Sequence, residues 1–514
     1  MTTVDAAEGP AEREYDYLVV GGGTAGCIVA ARLAEDESVT VALAEWGGSD
    51  AEEPRANVIR RWDEMLEGEY DLDYRSVPQE RGNSHIRLAR MRILGGCSTA
   101  NTMITWRPLR ADLEEWVGLG ASGWGPEALW PCYDRLATRI SVIPEADRNP
   151  HLAEVVESAS LALDLPVKER WNDHEFVDGA GFFEIGYDPA TNQRSSTSYA
   201  YIHGRNIPNL DILHGYRGVQ IELRDNRATG CVFTDASGRT VPLRARREVI
   251  LACGAIDSPR LLQLSGIGPR RMLEHAGIDC RVDLPGVGEN LMDHAEGLVV
   301  WETHEPVEET CATGWDAGYL VSVDDGPFPD ISTHIPVHTW AVHAERMGAR
   351  IPAANVSLAP NITKPKSRGR VWIESADPDA APLIDYGYFT DPEGHDERML
   401  VQGIRNARRV AEQEPLASRI VREVFPGPEV TTDEQISEIA RQTHQTVYHV
   451  SGTCRIGAED DDLAVLDPRL RVRGVTGLRV VDASVFPTIT ALNPVGTIMA
   501  VAERAAELIA EDNS

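Results

Sequence analysis

The chain has 514 residues, enough for more than one hydrophobic core, and its 81 acidic against 49 basic residues leave a formal net charge of −32. That sign excludes a polyanionic partner such as nucleic acid, which needs clustered Lys and Arg, and fits solubility, a salt-tolerant setting or attraction of a cationic small molecule equally well. Eight cysteines lie scattered with no C-x-x-C pair, so neither a metal site nor a thioredoxin-like motif is indicated, and reduced thiols in a cytosol are expected. The first fourteen residues, with Asp5, Glu8, Glu12 and Arg13, lack the basic and apolar regions of a secretory signal. No apolar run reaches the ~18 residues that span a bilayer. A cytoplasmic protein with no membrane partner is the expectation.

The first strong element is the apolar strand Tyr17-Leu18-Val19-Val20, which runs into Gly21-Gly22-Gly23-Thr24-Ala25-Gly26 and then into a helix. This is G-x-G-x-x-G spacing. Gly21 permits the tight turn, Gly23 lets the backbone approach a pyrophosphate, Gly26 allows close helix-strand packing, and the helix N-terminus offers N–H donors and a positive dipole end. The next strand, Val39 to Ala44, ends at Glu45, 19 residues after Gly26, where a ribose-binding acid belongs. A dinucleotide cradle is predicted, though the fingerprint alone does not separate FAD from NAD.

A polar, aromatic segment follows to about residue 90, then Gly95-Gly96-Cys97-Ser98-Thr99-Ala100-Asn101, small enough for backbone to lie against a flat ligand. Val249 to Ile256 reads as another buried strand of the same sheet, with a helix starting near Ser258-Pro259. Between Trp301 and about Thr443, stretches such as Asp330 to Val337 and Arg370 to Ile373 read as antiparallel strands. Leu478 to Ala483 reads as a strand with Asp482 at its C-terminal end, where ligands sit in open parallel sheets. After Pro494, Ile498, Val501, Ala505 and Leu508 recur at helical spacing, predicting an amphipathic helix packed on that sheet. The fold class is therefore α/β. A Rossmann-type cofactor domain assembled from separated segments holds an inserted α+β substrate domain on a mostly antiparallel sheet.

Taken together, these residues resemble the glucose-methanol-choline flavin oxidoreductases. The matching sites are Gly21 to Gly26 with Glu45, Gly95-Gly96-Cys97-Ser98 with Asn101, Gly254 to Pro259 continuing to Ser265-Gly266-Ile267-Gly268-Pro269, Tyr448-His449, Asp482-Ala483-Ser484 and Asn493-Pro494. The resemblance implies FAD, with an FAD-binding domain over 1–145, 195–295 and 446–514 and a substrate domain over 146–194 and 296–445. It implies cofactor contacts at Gly21, Gly23, Thr24, Ala25, Gly26, Glu45, Gly95, Gly96, Cys97, Asn101, Thr102, Met103, Val219, Tyr448, Asp482, Ala483 and Pro494.

Within the family the chain is most similar to the choline-oxidising branch. The segment Arg61 to Leu66 matches one that supplies an aromatic wall through Trp62, and Asp293 to Gly297 matches one that supplies a carboxylate through Glu296; Trp315, His334 and Trp340 fall at further pocket positions. These residue types suit a quaternary ammonium, which is held by ring quadrupoles at roughly 0.5 to 2 kcal/mol each and by one anionic partner. Taken singly, Trp62 and Trp340 are core residues on base rates and Glu296 a surface carboxylate; their joint occurrence carries the cage reading.

Oxidation of an alcohol needs loss of the hydroxyl proton and of a hydride from the same carbon. The resemblance assigns this chemistry to His449, with Asn493 fixing the alcohol oxygen and His334 adding a hydrogen bond. By the same resemblance Val447, two before His449, occupies the place of a small apolar residue that favours dioxygen as acceptor, which implies an oxidase releasing hydrogen peroxide. Ala100 stands where that branch carries the histidine that tethers FAD, and His85 is the nearest histidine upstream. Noncovalent FAD is expected. Two alternatives stay open: an oxidase or dehydrogenase of the same family acting on an aryl, aliphatic or amino-sugar alcohol, and a noncatalytic flavin-binding protein. A homodimer is a further option.

Overall fold

The computed structural model describes residues 14–172 and 178–513. The N-terminal stretch read above for a secretory signal lies, up to residue 13, outside the described residues. The chain opens with β1 (Glu14–Val20), α1 (Thr24–Leu33) and β2 (Val41–Glu45). Further on, β3 (Leu210–His214) leads into a meander of β4 (Arg217–Arg224), β5 (Arg227–Thr234) and β6 (Thr240–Leu251), and β7 (Leu478–Val480) completes the sheet. The strand order is β3-β2-β1-β6-β5-β4, with β7 also paired to β6. The pairings among β3, β2, β1, β6 and β7 are parallel, whereas β4, β5 and the first half of β6 pair antiparallel. Polar-apolar alternation is absent from the inner parts of β1 and β2, because Leu18, Val19, Val20 and Val41 to Ala44 are all buried, as expected for parallel strands covered on both faces.

A second, nine-stranded sheet carries the rest of the site. Its main path runs Ile420–Phe425, Val299–Thr303, Asn355–Ile362, Ile331–Ile335, Ala317–Val321, Gly179–Phe182 and Val167–Lys168. The short strands Ala295–Glu296 and Gln445–Thr446 pair with each other on its flank, and the helices Pro150–Leu163 and His395–Ala411 pack against it. The stretch around Arg370 is antiparallel as expected, but Gly369–Trp372 belongs to a separate three-stranded sheet with Glu289–Leu291 and Leu383–Asp385.

One local expectation shifts. The helix predicted near Ser258 is α2 (Gly254–Leu264), so Ile256 lies in its first turns rather than in β6. Gly254 at φ +84 turns the extended chain sharply, and its N–H is taken by Asp482 Oδ2 at 2.9 Å, which fixes the earlier start. The C-terminal helix α3 (Val495–Asp512) packs against α1 and the helix Pro126–Asp134, and Arg479 Nη2 of β7 donates to its Asp512 at 2.7 Å. Its buried positions run round most of its circumference, and Glu503, 1% exposed, is satisfied by Arg32 Nε at 2.9 Å from α1 and by the Tyr201 hydroxyl at 2.6 Å. No helix among the described residues is long and apolar enough to cross a membrane. All eight cysteines are unpaired.

Candidate active site

One elongated cavity runs from Glu45 and Trp46, past the first β-α turn, to Trp62, Trp340 and His449. Its first end is made of backbone. Gly21 has φ +100, and a Cβ there would sit 2.6 Å from the Ala252 carbonyl oxygen; at Gly96, φ +52, a Cβ would sit 2.7 Å from Gly23 Cα. Thus the first β-α turn and the Gly95-Gly96 loop lie back to back in a space only glycines allow. The N-terminus of α1 has no side-chain cap and no acidic residue in its first turn, so its N–H groups and dipole face the cavity at Thr24 and Ala25. Glu45 is buried and accepts from Gly22 N at 2.8 Å and Gly47 N at 2.7 Å; burial outweighs these bonds and pushes its carboxyl up to about 7. An uncapped helix end, close-approach glycines and an acid at the far edge fit a dinucleotide such as FAD.

Of the residues predicted to hold the cofactor, Gly21, Gly23, Thr24, Ala25, Glu45, Gly96, Cys97, Asn101, Thr102, Met103, Tyr448, Asp482, Ala483 and Pro494 line this cavity. Three do not. Gly26 acts from behind, where a Cβ would fall 1.9 Å from the Gly21 carbonyl oxygen. Gly95, at φ +88, carries its N–H to Gly22 O at 2.7 Å and leaves no room beside Ser198. Val219 sits at a register shift between Gly218 and Gln220, and its neighbours Tyr216, Arg217 and Gly218 line the cavity. The Asp482 carboxylate is spent on the protein: it accepts from Gly254 N, from Ser258 Oγ at 2.5 Å and from Ser484 N at 2.8 Å, tying two turns at the cavity wall together.

The other end is made of side chains. Asn493 Nδ2 donates to His449 Nε2 at 3.3 Å, His449 Nδ1 lies 2.9 Å from His294 Nδ1, and His294 Nε2 lies 3.1 Å from the Thr490 carbonyl oxygen. The donors follow by elimination. A carbonyl only accepts, so His294 Nε2 carries its proton and its Nδ1 accepts from His449 Nδ1–H; the lone pair of His449 Nε2 is left toward Asn493 and the cavity. Burial pushes His294 down to about 3 and His449 well below 6.5, the latter helped by His294, His334 and Arg90 nearby, so both rings are neutral at neutral pH. Trp106 Nε1 donates to Asn493 Oδ1 at 3.0 Å, which fixes the amide with its NH2 toward the imidazole.

The backbone that presents His449 is constrained. Tyr448 has φ +65, an uncommon conformation for a bulky residue, and it is held from both sides. Arg90 Nη2 donates to Tyr448 O at 2.7 Å, Tyr448 N to Thr446 Oγ1 at 2.8 Å, and His449 N to Asp293 Oδ1 at 2.8 Å. Asp293, whose carboxyl burial raises to about 6, also accepts from the Tyr388 hydroxyl and from Thr446. Val447 lines the cavity beside His449.

The predicted cage residues Trp62, Glu296, Trp315, His334 and Trp340 line the same cavity as His449 and Asn493. Trp62 is anchored by its Nε1–H to Thr313 O at 2.9 Å, and Trp315 meets His334 edge-on at 5.8 Å. Glu296 is 2% exposed; its Oε2 accepts from His334 Nδ1 at 2.8 Å and its Oε1 from Gln445 Nε2 at 3.0 Å. A carboxylate only accepts, so His334 carries a proton on Nδ1, and its buried Nε2 has no partner among the described residues. Sequence reasoning missed Trp106, Arg90, His294 and Gln445. Each is distant in sequence from the residue it serves, although His294 lies within the Asp293 to Gly297 segment already singled out.

Known proteins resemble this chain over most of its length. The GMC oxidoreductase family matches residues 15–296 and 365–502. The chain is 44% identical to choline oxidase of Arthrobacter globiformis over 98% of this chain and 96% of that protein. It is 32% identical to an oxygen-dependent choline dehydrogenase of Photobacterium profundum, over 96% and 93%. The crystal structure of pyridoxine 4-oxidase from Mesorbium loti superposes with a TM-score of 0.88 at 28% identity, covering 96% of this chain and 99% of that one. With the cradle, the imidazole and the carboxylate in one cavity, and with these matches, the chain belongs to the GMC oxidoreductase family, the FAD-dependent oxidoreductases that act on CH–OH groups.

Proposed function

We propose that this enzyme oxidises choline or a closely related cationic primary alcohol, with dioxygen as acceptor and hydrogen peroxide as co-product. The observation that carries the reading is the buried Glu296 carboxylate on a cavity wall shared with Trp62, Trp315 and Trp340, and with His449. A quaternary ammonium offers no N–H donor, and a carboxylate with aromatic faces is the arrangement that attracts it. The relatives named above as acting on choline support the same substrate.

FAD, when bound, supplies the hydride acceptor and the route of two electrons to dioxygen. The chain's own residues do the rest. The cage seats the ammonium and directs the hydroxyl toward His449 and Asn493. Asn493 Nδ2–H donates to the alcohol oxygen, and the lone pair of His449 Nε2 accepts the hydroxyl proton. The imidazolium so formed stays beside the oxygen, where its charge and the Asn493 amide favour the developing alkoxide. Charge on His449 is shared through Nδ1–H with His294, while the chain of bonds ends at the Thr490 carbonyl, so the proton is retained at the site. Val447 offers an apolar wall where dioxygen would approach.

FAD is held noncovalently in this reading. Ala100 lines the cavity but has no nucleophilic atom, and His85 is exposed and does not line it. Acid denaturation followed by filtration tests this: the yellow chromophore should pass the filter, and colour retained with the polypeptide would contradict it. Peroxide release measured across choline, benzyl alcohol and hexanol tests the substrate. Choline is expected to respond most strongly, and no response to it removes the reading.

A further inference from the structure

We infer that Gln445 is a positioning residue that sets preference for fully substituted ammonium groups by occupying the carboxylate edge that an N–H-bearing ammonium would use. The inference rests on Glu296 being the counter-ion of the substrate, as proposed above, and deepens that reading. Strand pairing sets Glu296 directly opposite Gln445 in antiparallel register. Directly opposed residues lie on one face with Cβ atoms about 4.5 to 5.5 Å apart, within reach of a side-chain amide. The amide makes that reach, and Gln445 Nε2 donates to Glu296 Oε1 at 3.0 Å.

The second oxygen is taken as well, by His334 Nδ1–H at 2.8 Å. Each oxygen of this buried carboxylate therefore already accepts a donor from the protein. Its charge is intact, but one of the two lone-pair directions on each oxygen is engaged. A protonated primary amine binds a carboxylate through short charge-assisted N–H···O bonds and would have to displace the amide or settle for the directions that remain. A trimethylammonium has no N–H and draws only on the charge and on the faces of Trp62, Trp315 and Trp340. Gln445 thus adds discrimination against the wrong ligand without a contact that only the right one makes. It also holds the carboxylate in one orientation, which steadies the seat for the methyl groups.

The test is steady-state kinetics with choline, N,N-dimethylethanolamine and ethanolamine on the flavin-loaded wild type and on Gln445→Met and Gln445→Asn. Binding of tetramethylammonium and methylammonium as competitive inhibitors is measured alongside. In Gln445→Met the preference for choline over ethanolamine in kcat/KM should fall about tenfold, carried by KM while kcat with choline stays within about twofold. The preference for tetramethylammonium over methylammonium should fall in parallel. Because each readout is a ratio within one protein, loss of folded material cancels, and Gln445→Asn, whose shorter amide falls short of Oε1, gives the same shift should the Met variant not fold. Unchanged ratios in a variant that still oxidises choline overturn the inference alone. A wild type inert to choline overturns the substrate reading and this inference with it.

Discussion

At the Gly21–Glu45 end of the cavity a ligand meets backbone, whereas at the Glu296–His449 end it meets side chains. The first end is specified by what must be absent: a Cβ at Gly21, Gly26 or Gly96 would strike backbone atoms 1.9 to 2.7 Å away. The second is specified by what must be present and already paired, with His449, Asn493, Glu296 and His334 each held by a named neighbour. The cradle therefore fails by exclusion, all at once, and the reacting end fails in graded steps.

The largest expected effect is on the cradle. Gly26→Ala puts its methyl onto the Gly21 carbonyl, so the variant should yield little flavin-loaded protein; recovery of a full yellow complement would show that the turn has room to spare. Next is His449→Ala, which removes the proposed proton acceptor while leaving the cradle untouched. Its kcat/KM should fall by roughly 10² to 10⁴, with flavin content unchanged. The wild-type pH profile sharpens the same point. His449 lies below 6.5, so its base form is complete above that pH and is lost only as pH falls through the depressed value; kcat/KM should hold its plateau into acid further than a free imidazole allows. A limb at 6.5 or above that is lost with His449 would contradict the neutral ring.

Glu296→Gln keeps shape and removes charge. Choline kcat/KM should fall about 10- to 100-fold, the scale of a lost charged partner, while the neutral isostere 3,3-dimethylbutan-1-ol changes little. Equal losses for both alcohols would recast Glu296 as a structural group. The smallest effect is expected from Trp62→Leu, which removes one aromatic face of several: a rise in choline KM of roughly 2- to 30-fold with kcat preserved.

The cradle was legible because its requirements are local. Strand, three glycines, helix and acid follow within one β-α-β unit, and spacing alone predicts the close contacts that Gly21 and Gly26 make. The same reading began α2 too late because Gly254 turns the chain before Pro259. The reacting end draws on residues 62, 106, 294, 296, 334, 445, 449 and 493, and no periodicity connects them. Family resemblance supplied His449, Asn493 and Glu296. It did not supply the partners that set their protonation and orientation: His294 fixes the His449 tautomer, Trp106 fixes the Asn493 amide, and Gln445 occupies Glu296. Such pairings arise from sheet register and helix packing, which exist only once the chain has folded. The C-terminal helix shows the same limit, because its apolar spacing was clear but its neighbours were not.

Anaerobic titration of the flavin-loaded enzyme with choline, followed by admission of air, tests the central claim most directly. The account predicts that choline bleaches the oxidised flavin spectrum, that air restores it with release of one peroxide per flavin, and that His449→Ala bleaches far more slowly. A spectrum that choline leaves unchanged while a neutral alcohol bleaches it would contradict the cationic cage, and one that no alcohol changes would contradict the site altogether.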